Sequence, residues 1–179
     1  MEREPMVASF ETVVSPESSE PPFRFTIINV HTEASRVDPN QSGNEIAVLA
    51  DVFRRVRQYE YETRGEDDFI VLGNFNVGTQ SLTQLTSIPG VISLAADVQT
   101  DVGRTTTSDH ILIDRNVTSE YAGRNGVLDF QADLGLTAEQ AVHISDHVPL
   151  WAEFEILEQP PRTQRPVSTA ANSRTRMIQ

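Results

Sequence analysis

The tightest constraint on this chain is one long amphipathic helix set between two short apolar strands. Ser42-Gly43-Asn44-Glu45 has the S-x-x-E form of a helix capping box. Leu49, Val52, Phe53 and Val56 follow at helical spacing, which predicts a helix over residues 43–62. Ahead of it, Phe23 to Val30 alternates as a strand, with Phe23, Phe25 and Ile27 on one face and Ile28 and Val30 on the other. Beyond Gly65, the run Phe69-Ile70-Val71-Leu72 reads as a strand buried on both faces. A looser strand over Met6 to Thr12 can pair with the Phe23 strand across the turn-rich residues 15–22.

Later in the chain, residues 80–87 predict a short helix, and Ile111-Leu112-Ile113 a short strand. Residues 117–122 and 127–131 flank Arg124-Asn125-Gly126, a predicted hairpin turn. Thr137-Ala138-Glu139-Gln140 is a second capping box. Pro149 to Ile156 predicts a last strand with Leu150, Ala152, Phe154 and Ile156 on one face, while Trp151 points away, toward a neighbouring helix. Strands and helices are interspersed, so the expected class is α/β, a layered sandwich. One domain is expected over residues 1–157. Residues 158–179, rich in Pro, Ser, Thr, Asn and Arg, are expected to be a disordered tail.

Composition removes several chemistries. The chain has no cysteine, which excludes disulfides, thiolate nucleophiles and cysteine-ligated metals. All 14 basic residues are arginine, so Schiff-base lysines and a P-loop lysine are excluded too. Residues 1–158 hold 10 arginines and all 26 acids, a net charge of −16. Such a body repels a polyanion at long range, though acids that hold a cation count toward the same total. No apolar run is long enough to span a bilayer, and the first residues carry no signal-peptide core, so a soluble protein of unassigned compartment and no membrane partner is expected.

Four segments place acid, amide or imidazole groups at strand ends: Asn29-Val30-His31-Thr32, Gly73-Asn74-Phe75-Asn76, Ser108-Asp109-His110-Ile111 and Ser145-Asp146-His147. Strand ends let a rigid scaffold aim side chains at one point. Phosphodiester hydrolysis needs such a set: a cation to neutralise phosphate oxygens, a base for water and donors for the transition state. Hard oxygen ligands suit magnesium, manganese or calcium.

In this order the four segments resemble the motifs of the DNase I-like endonuclease/exonuclease/phosphatase family. Its N-x-H-T strand end is matched by Asn29-Val30-His31-Thr32, its G-D-F-N by Gly73-Asn74-Phe75-Asn76, its Y-D-H/R-I-L by Ser108-Asp109-His110-Ile111-Leu112 and its S-D-H-x-P-V by Ser145-Asp146-His147-Val148-Pro149-Leu150. The resemblance implies an αββα sandwich with the site between two sheets, magnesium (or manganese or calcium) as cofactor, and nucleic acid, DNA before RNA, as substrate. It gives His147 the part of general base or phosphate ligand, with Asp146 beside it and the metal. His31 becomes a second catalytic histidine and Asp109 the acid that partners the site. Asn76 contacts phosphate or the attacking water, so Asn76 and Asp146 are the candidate metal ligands.

Two departures accompany the resemblance. Asn74 stands where the family has aspartate; an amide cannot exchange a proton, and if that aspartate does acid–base work its loss costs on the order of 10²–10⁴ in rate. The family's N-terminal strands and principal metal-binding glutamate are matched by nothing before Phe23. The chain is therefore expected to be the C-terminal part of the domain, to lack that glutamate, and to self-associate through an exposed sheet face. Three functions follow: a metal-dependent DNase I-like endonuclease, a catalytically inactive relative, or a phosphatase acting on a phospholipid or inositol phosphate. Apart from the motifs, His31 reads as a satisfied polar residue, Asn74 and Asn76 as turn residues, and Asp109 as a partner of Arg104.

Overall fold

The protein is described from a computed structural model over residues 1–96 and 98–160. Seven strands form two sheets: β1 (Met6–Glu11), β2 (Arg24–His31), β3 (Phe69–Asn74), β4 (Val91–Ser93) and β5 (Asp109–Asp114) in one, β6 (Tyr121–Val127) and β7 (Leu150–Phe154) in the other. The larger sheet has the order β1-β2-β3-β5-β4. The β2–β3 pair is parallel and its crossover carries α1 (Glu45–Arg64); the other neighbours are antiparallel. Short helices α2 (Thr83–Thr86), α3 (Phe130–Asp133) and α4 (Ala138–Val142) sit in the connections. The α/β class and the β1–β2 pairing match the sequence expectation. The expected tail lies outside the described residues from 161 onward, and Glu158 still bonds through its backbone N–H to Pro21 O.

Ile46, Leu49, Ala50 and Phe53 are the buried stripe of α1. They pack on Ile28, Val30, Phe69, Val71 and Leu112, which point to one face of the large sheet. The other face carries Phe25, Ile27, Ile70, Leu72, Ile111 and Ile113 and meets Tyr121, Ala152 and Phe154 of the small sheet. Among the described residues two strands cover this face, and a cavity of about 380 Å³ lies between the sheets, lined by Phe25, Ile27, Leu72, Ile111 and Trp151 among others.

Three local expectations are corrected. The cap of α1 is Asn44, whose Oδ1 accepts from Ala47 N at 2.9 Å, and not Ser42. Asparagine caps as well as serine. This frees Glu45 to turn inward, fully buried, where it accepts from the backbone N–H groups of Glu2 (2.5 Å) and Glu33 (2.9 Å) beside Arg36. Arg124-Asn125-Gly126 is no hairpin turn but the second half of β6. Its turn chemistry is spent on a break in register between Tyr121 and Asn125, with Gly123 at φ 80°. Asn125 is satisfied sideways: its amide donates to Leu94 O and its Oδ1 accepts from Tyr121 Oη. Trp151 covers Gly126 of β6, where a Cβ would stand 3.2 Å from the indole, and not a helix. The capping box at Thr137 and Gln140 is present as expected.

Candidate active site

Opposed residues on neighbouring strands share a face. The register aligns His31 with Asn74 and Asn74 with Asp109, so the ends of β2 and β3 and the start of β5 put three of the expected residues in one row. They continue the columns of Ile27, Leu72 and Ile111 and so lie on the face toward the small sheet. Gly73 makes the row possible. Its φ is 133°, and a Cβ there would stand 1.9 Å from Val30 O. The next turn is closed by the two asparagines. Asn74 Oδ1 accepts from Asn76 N at 2.9 Å, and Asn76, at φ 53°, donates through Nδ2 to Thr32 O at 2.7 Å. Asparagine tolerates this left-handed backbone better than most residues.

His147 arrives from the segment before β7. Its Nδ1 is 2.6 Å from Asp109 Oδ2, which also accepts from Ser108 Oγ at 3.3 Å. Asp109 thus pairs with the imidazole and not with Arg104, which instead bonds Asp129 at 2.7 Å. The hydrogen bond that His147 donates to Asp109 raises the His147 pKa above its ordinary value; partial burial opposes this, and the charges of Asp109, Asp146 and Asp101 add to it. Asp146 lies farther off, 4.0 Å from Nε2, with its side chain 82% exposed. His31 is exposed, and among the described residues its imidazole makes no hydrogen bond. His110 and His143 stay outside the site. His110 is fully buried between Ser93 Oγ (3.0 Å) and Val77 O (2.8 Å), and burial pushes its imidazole below the usual range. His143 Nδ1 folds back on Glu139 O at 2.6 Å.

Two residues absent from the motifs hold this geometry. Thr100, fully buried, accepts through Oγ1 from the N–H groups of both Ser108 and Asp109 at 3.1 Å, while its carbonyl accepts from Val148 N at 2.8 Å. Asp101 makes a β-bridge with His147, and Val102 N donates to Asp146 O at 2.8 Å. The Asp101 carboxylate itself is wrapped by the N–H and hydroxyl groups of Thr105 and Thr106. Burial works against its charge, but those hydrogen bonds outweigh it and hold the group below the usual carboxylate range. Nothing in the spacing of Thr100 or Asp101 marks them, because they act through main-chain contacts across the fold.

His147 is the wall between two cavities. One, about 350 Å³, is lined by Asn74, Asp109, Ser145 and Leu150; the other, about 850 Å³, by Asn76, Gln80, Asp101, Thr107 and Asp146. Of the two expected metal ligands, Asn76 is neutral and Asp146 is largely solvated; Asp109 is engaged by His147, and the Asp101 carboxylate in the same cavity is engaged by Thr105 and Thr106. Among the described residues, the acidic triads close enough to share an ion are elsewhere: Glu66, Asp67 and Asp68, and Asp68, Glu120 and Glu158. A hard divalent cation takes six or more oxygens, and among the described residues no three acidic or imidazole side chains around His147 lie close enough to share one.

Comparison with known proteins agrees with the resemblance. No protein-family profile matches the chain. It is 31% identical over 166 residues to deoxyribonuclease-1-like 1 of Homo sapiens, covering 86% of this chain and 50% of that protein. It is 30% identical over 166 residues to deoxyribonuclease gamma of Rattus norvegicus, covering 86% and 48%. The chain thus spans about half the length of these curated relatives. In fold it is similar to the APE2 catalytic domain of Xenopus laevis, with TM-score 0.53 at 12% identity, covering 87% of this chain and 57% of that one. It is likewise similar to the 3′ phosphatase NExo from Neisseria, with TM-score 0.51 at 18% identity, covering 84% and 71%. Fold and strand-end constellation define the class, a mixed-sheet sandwich with polar groups gathered at one end of its sheets. In sequence the chain is similar to deoxyribonucleases of the DNase I type and in fold to nuclease and phosphatase structures, consistent with the expected DNase I-like endonuclease/exonuclease/phosphatase family.

Proposed function

We propose that this chain contributes the His147–Asp109 half of a phosphodiester hydrolase site that acts on DNA. The 2.6 Å bond between Asp109 Oδ2 and His147 Nδ1 carries the reading. An imidazole held at Nδ1 by a carboxylate presents Nε2 to the cavity. As a neutral ring, Nε2 takes a proton from water; as imidazolium, it donates to a phosphoryl oxygen, and Asp109 stabilises the charge. Asn76 orients an oxygen through its Oδ1 while its amide is fixed on Thr32 O. The names of the curated relatives, deoxyribonucleases, favour DNA over other phosphodiesters. Divalent-metal dependence is typical of the family, and the cation chemistry awaits ligands beyond those around His147.

The test is nicking of supercoiled plasmid and hydrolysis of bis-p-nitrophenyl phosphate with magnesium or manganese. Turnover above that of a His147→Ala control supports the reading; metal-dependent turnover no greater than the control overturns it. A second reading, a catalytically silent relative, is favoured by Asn74, whose Oδ1 is occupied in capping the loop. Asn74→Asp separates the two. A large gain in rate means that only one charge was lost, whereas continued silence supports the inactive relative.

A further inference from the structure

A fully buried imidazole lies directly behind the site. His110 follows Asp109 on β5, so its side chain points to the opposite face of the large sheet, toward α1. A polar ring is costly to bury unless its hydrogen bonds are made, and here both nitrogens have partners. Val77 O can only accept, so His110 Nε2 carries the proton and donates it at 2.8 Å. In a neutral ring Nδ1 must then accept. Ser93 Oγ on β4 donates to it at 3.0 Å while itself accepting from Ala95 N at 3.2 Å. The donors therefore run one way, from β4 through the imidazole into the loop after β3, and select a single tautomer. Burial, which holds the ring below the ordinary histidine range, keeps it neutral.

The carbonyl that receives this proton belongs to the residue after Asn76. On the site side, the Asn76 turn is held by Asn74 Oδ1 and Thr32 O. On the core side it is held by Phe75 and His110. Phe75, fully buried, donates from its N–H to Ser108 O at 2.8 Å and sets its ring at 88° to the imidazole, with centroids 5.3 Å apart. His110 grips the other end of the turn through Val77 O. Asn76 itself sits at φ 53°, a backbone that persists where neighbours hold it in place. The same strand also carries Asp109, whose carboxylate holds His147. Two adjacent residues of β5 thus govern the two halves of the site, Asp109 from one face of the sheet and His110 from the other. Strand β5 is paired on both sides, to β3 and β4, which makes it a firm anchor.

We propose that His110 is a positioning residue of the hydrolase site, holding the Asn76 side chain in register with the Asp109–His147 pair through its hydrogen bond to Val77 O. The proposal rests on the hydrolase reading above. His110 is buried and acts through the main chain of the loop, not on substrate. A phosphodiester met by Asn76 on one side and His147 on the other is sensitive to their separation. A misplacement on the order of 1 Å costs about 10²-fold in rate. A ring of similar shape without the donor keeps the packing against Phe75 but releases the turn.

The test uses the full chain and two readouts. One is hydrogen exchange of the Asn76 side-chain amide, followed by NMR. The other is plasmid nicking with magnesium, resolved into kcat and KM. His110→Phe keeps a ring against Phe75 and removes both hydrogen bonds. In it the Asn76 amide is expected to exchange about tenfold faster, and kcat to fall by about 10–10²-fold with KM unchanged. His110→Gln, whose amide can donate to Val77 O, should recover most of both. Ser93→Ala leaves the imidazole in place but frees its tautomer, and should also quicken the exchange, so it decides the matter if His110→Phe misfolds. Unchanged exchange in His110→Phe, or in Ser93→Ala where only that variant folds, overturns the positioning role. Equal losses of kcat in His110→Phe and His110→Gln overturn it as well. Absence of His147-dependent turnover in the unaltered chain removes the hydrolase reading alone, and the exchange readout still decides whether His110 holds Asn76.

Discussion

At His147 one ring nitrogen is held and the other is open. The hydrogen bond to Asp109 raises its pKa, with partial burial opposing. The protonated ring is therefore favoured in the folded protein. Its contribution to stability is fully present below about pH 6.5, the ordinary histidine value, and is lost as pH rises through the elevated pKa. An NMR titration of the His147 ring is expected to show a midpoint above 6.5, and Asp109→Asn should move it down. If the neutral ring is the base, the rate on DNA rises across that same shifted range. His147→Ala should lower plasmid nicking by about 10²–10⁴-fold; a smaller loss would take the imidazole out of the reaction. Asp109 and His147 were legible because their motif positions stand at strand ends. Asp146 was legible as a motif but lies mostly in solvent, and the loop-closing part of Asn74 shows only once the Asn76 N–H is in view.

Strand β3 and the segment 100–102 govern the site as elements. Gly73→Ala would drive a Cβ into Val30 O, so it is expected to cost about 2–4 kcal/mol in denaturant unfolding and to disturb the β2–β3 pairing. Thr100→Val removes the acceptor for two N–H groups, at about 1–3 kcal/mol for each one left unsatisfied, while Thr100→Ser should be nearly neutral. Nicking activity should follow the same order, since Asp109 loses its backbone anchor only in the valine variant. β2, α1, β3 and β7 could be read from periodicity, because each turns a continuous apolar face inward, half-buried in β7. β6 could not. Gly123, Asn125 and Gly126 carry turn chemistry, and contacts from Leu94 after β4 and from Trp151 on β7 turn them into a bulged strand. Thr100 was invisible for a related reason: its partners are 8, 9 and 48 residues away.

For the molecule as a whole, charge and layering matter most. No helix among the described residues is long and apolar enough to cross a membrane. A net charge of −12 opposes DNA at long range, so screening should help the encounter rather than hinder it. Between about 10 mM and about 150 mM salt the Debye length falls from about 30 Å to about 8 Å. Over that range kcat/KM on plasmid DNA is expected to hold or rise, the reverse of a basic DNA binder; a steep fall would point to arginines gathered on the substrate path. The manner in which Thr100 joins Ser108, Asp109 and Val148 also bears on portability. The Asp109–His147 pair is not two side chains that could be grafted onto another sheet. The transplantable unit is a splice of three chain segments, 100–102, 108–109 and 146–148, and moving fewer would carry over the letters of the dyad without its alignment.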